Sequence, residues 1–127
     1  MKKLLIALLS FFVFVSYTTS ANALIPRTKI VTASWYDCNK KGECSPNKRT
    51  ASGAKFNPNG LTAAHKYLRM GTRVEVTNIK TGKSVIVTIN DRGPFIKGRE
   101  LDLSKGAARK LGIINSGTAK VKMRVLK

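Results

Sequence analysis

Acidic residues are scarce: 6 Asp and Glu stand against 24 Lys and Arg in 127 residues, a formal net charge of +18. Any proton-transfer chemistry therefore draws on a short roster of carboxylates. One His and two Cys cannot make a multi-ligand zinc site unless carboxylates join them, so no metal centre is expected. Neither G-x-x-x-x-G-K-[ST] nor G-x-G-x-x-G occurs, which leaves nucleotide chemistry without support, and no organic cofactor is implied. The length excludes two ordinary domains. Hydrophobic residues at 43% are enough for a core and exclude general disorder.

Long apolar runs are also lacking, with one exception at the start. Leu4 to Val15 is apolar except for Ser10, too short to span a bilayer comfortably. Lys2 and Lys3 precede it, and Ala21-Asn22-Ala23 follows as a small-x-small site. Residues 1–23 thus read as a secretory signal peptide, the alternative being a membrane anchor. The mature chain is expected in a periplasm or secreted, without stable membrane insertion. That location argues against the nucleic-acid role such charge usually suggests. It favours anionic cell-wall polymers as partners, although charge can also serve solubility alone. Cys38 and Cys44 close a short loop. An oxidising compartment makes a disulfide the default, worth roughly 2 kcal/mol by loop entropy; the alternative is a redox or metal pair.

Residues 24–32 read as a leader into the first strand, which the β-branched and aromatic run Ile30 to Tyr36 marks. Cys38 to Asn59 is rich in Lys, Asn, Ser, Gly and Pro and reads as loop, with at most a short strand near Thr50 to Gly53. Leu61 to His65 fits a strand or a helical turn. Thr72 to Thr77 and Ser84 to Asn90 alternate, and Lys80-Thr81-Gly82-Lys83 between them supplies turn chemistry, so they form a hairpin. Arg99 to Leu103 fits a short strand. Ser104 is placed to cap a helix carrying Ala107, Ala108 and Leu111, and Gly112 to stop it. Ala119 to Leu126 alternates again. Five or six short strands with one short helix suggest a small barrel.

Six segments occur in order: Ala33-Ser34-Trp35-Tyr36, Thr50-Ala51-Ser52-Gly53, Leu61-Thr62-Ala63-Ala64-His65, Gly71 to Asn78, Asn90-Asp91-Arg92-Gly93-Pro94-Phe95 and Asp102-Leu103-Ser104. Together they resemble the RlpA family of double-psi β-barrel domains over roughly residues 33–126. The resemblance implies a mainly β fold, a six-stranded double-psi barrel with one or two short helices over residues 33–127. It implies peptidoglycan as substrate and non-hydrolytic cleavage between N-acetylmuramic acid and N-acetylglucosamine, leaving a 1,6-anhydro end. The family's functional trio would be an acid after Ser-Gly, His65 and Asp91. Here the acid's position is Ala54, so one member is absent. The sequence also reads as lacking the lipid-attachment Cys of the family's namesake and its separate C-terminal SPOR domain.

Asp91 is the leading chemical residue, as the acid that gives a proton to the leaving oxygen and later takes one from the sugar's 6-hydroxyl; the alternative is a turn cap. His65 is expected to assist by hydrogen-bonding the sugar or orienting Asp91, or else to be a buried polar residue on a backbone group. Arg92 is a candidate for an acidic substrate group. Trp35, Tyr36 and Phe95 are candidates to stack on sugar rings, core packing being the alternative. Asp102 fits a capping or bracing role. Asp37 or Glu43 could replace the missing acid only if the disulfide loop carried it to the cleft. Three functions follow: a lytic transglycosylase, a non-catalytic expansin-like wall-binding module, and a secreted interaction protein or inhibitor.

Overall fold

The computed structural model describes residues 13–14, 16, 27–39, 44 and 47–126. The signal-peptide reading and Glu43 lie almost wholly outside them. No helix among the described residues is long and apolar enough to cross a membrane.

Strand β1, Thr28–Tyr36, alternates Val31 and Ala33 into the core, with Trp35 packed against it. Ser34 and Tyr36 fall on the other face, as the two-residue period of a strand requires. β2 is Thr62–His65, a strand and not a helical turn. β3 (Arg73–Asn78) and β4 (Ser84–Asp91) form the expected antiparallel hairpin, sending Val74, Val76, Val85, Val87 and Ile89 inward. β5 is Leu101–Ser104 and β6 is Thr118–Val125. Residues 49–55 make a turn closed by an isolated bridge between Arg49 and Lys55, not a strand.

The strands close a barrel in the order β1-β5-β2-β4-β3-β6. Two pairings are parallel, β1 with β5 and β2 with β4, and the rest are antiparallel. β1 pairs with β6 from Thr28 to Ser34 and with β5 from Ala33 to Tyr36. The strand expected from Ile30 thus starts two residues earlier: Thr28 and Lys29, which fall in the expected leader, belong to the barrel wall through their pairing with β6.

The single helix among the described residues, α1, spans Lys105–Leu111. The Ser104 hydroxyl accepts from Ala107 N, and Gly112 ends the helix at φ 72°, a left-handed conformation glycine adopts freely. Ala107, Ala108 and Leu111 are buried against β1, β4 and β5. Gly106 has a different reason to be glycine: a Cβ there would sit 2.7 Å from the Asn59 carbonyl oxygen. Its own N–H donates to Pro58 O at 2.7 Å. The helix is thereby pressed onto the loop that enters β2.

Candidate active site

Register places the site. Ser34 lies beside Asp102, Asp102 beside Ala64, and Ala64 beside Asp91, so four strands present these residues on one outer face. Asp91 reaches that face through an irregularity. Ala63 pairs with Ile89, but Ala64 pairs with Asp91, skipping Asn90. Strict alternation after the inward Ile89 would turn Asp91 into the barrel; the bulge turns it out.

The Asp91 carboxylate is held from three sides. Its Oδ2 accepts from the Tyr36 hydroxyl at 3.0 Å. Its Oδ1 accepts from Ala51 N at 2.8 Å and from Arg92 N at 2.9 Å. Asp91 does tie its turn to the neighbouring loop, and it lines the cleft at the same time. Its partners are thus a hydroxyl and two backbone amides. Tyr36 is buried, its ring 4.8 Å from that of Phe56. Burial, with the Asp91 charge beside it, pushes its hydroxyl far above the ordinary tyrosine value. It stays a donor to Asp91 at any physiological pH.

Asp91 and Arg92 lie where two cavities meet. One, about 520 Å³, runs past Thr50, Ala51, Phe56 and Cys44; the other, about 340 Å³, past Trp35, Tyr36, Phe95, Arg99 and Asp102. Together they form a groove on both sides of the carboxylate. Phe95 is 79% exposed, an open ring face at the groove's edge. Trp35 borders the groove while packing on the core. Cys38 and Cys44 are joined as a disulfide, with Cα atoms 5.3 Å apart, and Cys44 gives the loop a place in the groove wall.

His65 is not brought to Asp91. It lines a separate cavity of about 290 Å³ with Lys29, Lys66, Tyr67 and Arg99. Its Nδ1 accepts from Tyr67 N at 3.2 Å and Leu68 N at 3.1 Å, so the ring proton sits on Nε2. Burial holds its pKa below the usual histidine value. The Nδ1 contacts tie the ring to the 65–68 turn and not to Asp91, which is the arrangement of the alternative reading, a buried polar residue on backbone groups. Arg92 links the two places instead, its Nη1 donating to His65 O at 3.1 Å and Leu68 O at 2.6 Å. One nitrogen of the proposed anion binder is thus engaged by backbone.

Three participants escaped the sequence reading in their roles. Tyr36 is a donor to Asp91 and not an open stacking face. Arg99 separates the two cavities, its Nε donating to Ser34 Oγ at 2.8 Å. Asp102 does brace the barrel, accepting from Ser34 Oγ at 2.9 Å, but it also faces the groove. The shared parity of Ser34 and Tyr36 on β1 is the sequence signal that could have found the first two. Ala54 is exposed, its carbonyl accepting from Thr50 N at 2.8 Å. Asp37 pairs with Lys105 at 3.4 Å and lines neither cavity at Asp91, so it does not replace the missing acid. No cluster of metal-ligating side chains occurs among the described residues.

Residues 28–123 match a family described as lytic transglycolase. Over 109 residues the chain is 51% identical to a protein of Synechocystis sp. named probable endolytic peptidoglycan transglycosylase RlpA, covering 86% of this chain and 32% of that one. Over 105 residues it is 47% identical to endolytic peptidoglycan transglycosylase RlpA of Neisseria meningitidis, covering 83% and 42%. The chain thus spans well under half of these relatives' lengths, 32% of the first and 42% of the second. Among solved structures, the barrel superposes on Streptomyces papain inhibitor with a TM-score of 0.62 at 17% identity, covering 82% and 98% of the two chains. It superposes on a Clavibacter michiganensis expansin mutant in complex with cellohexaose with a TM-score of 0.60 at 21% identity, covering 79% and 50%. Likeness at this level establishes the fold alone.

Proposed function

The chain belongs to the RlpA family of double-psi β-barrel lytic transglycolases, and on that premise we propose that it cleaves peptidoglycan glycan strands between N-acetylmuramic acid and N-acetylglucosamine, leaving 1,6-anhydro ends. The observation that carries this reading is the Asp91 carboxyl, fixed by Tyr36, Ala51 and Arg92 where two cavities meet. A strand lying along the groove would pass its glycosidic oxygen over that group.

One carboxyl group then serves both steps. Asp91 gives its proton to the glycosidic oxygen, and the bond from that oxygen to the muramyl C1 breaks through an oxocarbenium-like state. The muramyl 6-hydroxyl oxygen closes on C1 while Asp91 takes its proton. No water is added, and the carboxyl returns to its starting form. Tyr36 and the two backbone amides position the group and hold its charge between the steps. Phe95 and Trp35 offer ring faces to the sugars, and His65 can donate Nε2–H from the neighbouring cavity. Action on this substrate places the mature protein outside the cytoplasm, as residues 1–23 suggest.

The second reading, an expansin-like module without catalysis, is favoured by one observation: the exposed methyl of Ala54 where the family pattern has an acid. The two are separated by mass spectrometry of products from peptide-stripped peptidoglycan. Anhydro-ended fragments support the enzyme; binding without fragments supports the module.

A further inference from the structure

Among the described residues, Arg92 and Arg99 are the cations that line the cavity of about 340 Å³ at Asp91, and Asp91 and Asp102 its acids. The two arginines are committed differently. Arg92 gives Nη1 to the carbonyls of His65 and Leu68. Arg99 is anchored instead at its inner nitrogen. Its Nε donates to Ser34 Oγ at 2.8 Å, and Ser34 Oγ donates to Asp102 Oδ1 at 2.9 Å. Ser34 is buried, so its hydroxyl is a fixed post between the two charges. Asp102 Oδ1 lies 3.8 Å from Arg99 Nη2, an ion pair too long for a hydrogen bond. The backbone is held as well: Arg99 N donates to Ile96 O at 3.2 Å, and Glu100 N to Thr32 O at 3.0 Å.

The outer end of this side chain is left over. Neither Nη1 nor Nη2 donates a hydrogen bond to an acceptor among the described residues. The side chain is 26% exposed, so these donors are neither sealed in the wall nor loose in solvent. A guanidinium fixed at one nitrogen presents the rest of its fork at a set angle. That fork matches a carboxylate, which accepts two parallel N–H···O bonds, and orienting it in advance lowers the ordering cost of binding. On the reading that a peptidoglycan strand lies in this groove, the matching ligand group is narrowly defined. N-acetylglucosamine is uncharged. N-acetylmuramic acid carries a lactyl ether at C3, whose carboxyl is free in a peptide-stripped strand and an amide where a stem peptide is attached. A muramyl ring with C1 at Asp91 brings that C3 group into the cavity that Arg99 lines.

We propose that Arg99 is a specificity-determining residue of the groove, taking the free lactyl carboxylate of a muramyl ring on its two terminal nitrogens. An amide in that place carries no charge and offers one oxygen, so the ion pair and half of the fork are lost. The role of binding an acidic substrate group, expected of Arg92 from the sequence, passes to Arg99. The proposal rests on the glycan reading of the groove for its choice of ligand and not on cleavage.

The test is calorimetric binding of a peptide-free tetrasaccharide of alternating muramyl and glucosaminyl units, beside the same tetrasaccharide with its lactyl carboxyls converted to amides. The mature Asp91→Asn protein is the parent, so that neither ligand is consumed. It should bind the carboxylate form about ten- to a hundredfold more tightly than the amide form. Arg99→Gln in that parent should bring the ratio below about threefold. Arg99→Lys keeps a charge near Asp102 and should retain only part of the ratio, because an ammonium is a point charge and not a fork. Arg92→Gln should keep the ratio. A purely structural role for Arg99 would weaken both ligands alike and leave the ratio standing, which would overturn the proposal. So would equal binding of the two ligands by the parent, a full ratio in Arg99→Lys, or loss of the ratio in Arg92→Gln alone. Failure of the catalytic reading is distinguishable: if wild type forms no anhydro products while the ratio and its dependence on Arg99 persist, the chemistry falls and the carboxylate site stands.

Discussion

At the residue scale, the account turns on Asp91 and the groups that hold it. Tyr36→Phe removes one donor to a carboxylate and leaves the ring against Phe56. A hydrogen bond to a charged group contributes about 1.5–3 kcal/mol, so product formation should fall roughly ten- to a hundredfold while the barrel melts close to wild type. Unchanged turnover would remove Tyr36 from the mechanism. His65 makes a prediction about stability. Its folded-state pKa is depressed below 6.5, chiefly by burial. The unfolded chain therefore binds the proton first as pH falls, so this contribution is complete above the unfolded value and is lost on acidification through it. Thermal melts should decline between about pH 7 and pH 5, and His65→Gln should flatten that decline; a decline of the same slope in the variant would assign it to other groups. Asp91 and Phe95 were legible in the sequence because a turn of Asn, Asp, Gly and Pro after an alternating strand exposes what it carries. The side on which Asp91 emerges was not, since the bulge opposite Ala64 reverses the parity the alternation predicts. The separation of His65 from Asp91 was equally hidden: two hydrogen bonds to neighbouring amides set it, and no spacing encodes them.

At the element scale, the disulfide loop borders the site through Cys44, and the helix is pressed onto the loop that enters β2. Cys38→Ser/Cys44→Ser opens the loop whose Cys44 borders the groove. Stability should drop by about 2 kcal/mol, read as a lower urea midpoint; an unchanged midpoint would show the bridge to be idle in the unfolded chain. Gly106→Ala sets two effects against each other. Alanine improves helix propensity by up to about 1 kcal/mol, but the new methyl meets backbone at 2.7 Å, and such overpacking costs about 1–3 kcal/mol. The clash wins because the Asn59 carbonyl belongs to a short loop tied at Pro58. The melting temperature should fall; a rise would mean that the loop yields freely. The β3–β4 hairpin and α1 were readable because their signals are local: alternation with a Lys-Thr-Gly-Lys turn, and a Ser cap with a Gly stop. β2 and β5, at 4 residues each, carry too few positions to show a period, and their partners are distant in sequence.

At the scale of the whole molecule, barrel closure depends on the parallel pairings β1–β5 and β2–β4. Composition and periodicity supply a count of strands and no pairing between them. The resemblance carried by Trp35-Tyr36, the 90–95 turn and the 102–104 segment supplied the topology that local pattern could not. The distribution of charge was likewise invisible: a total of +18 does not say that Asp91 and Asp102 face one groove while Asp37, Glu75 and Glu100 are each ion-paired elsewhere. The central claim is that Asp91 performs chemistry and does not merely tie loops together. The most direct measurement is mass spectrometry of soluble products after incubating mature wild type and Asp91→Asn with peptide-stripped peptidoglycan, each first checked for a native melt. The account predicts 1,6-anhydro fragments from wild type and none from a folded Asp91→Asn. Anhydro fragments from both proteins, or from neither, would contradict it.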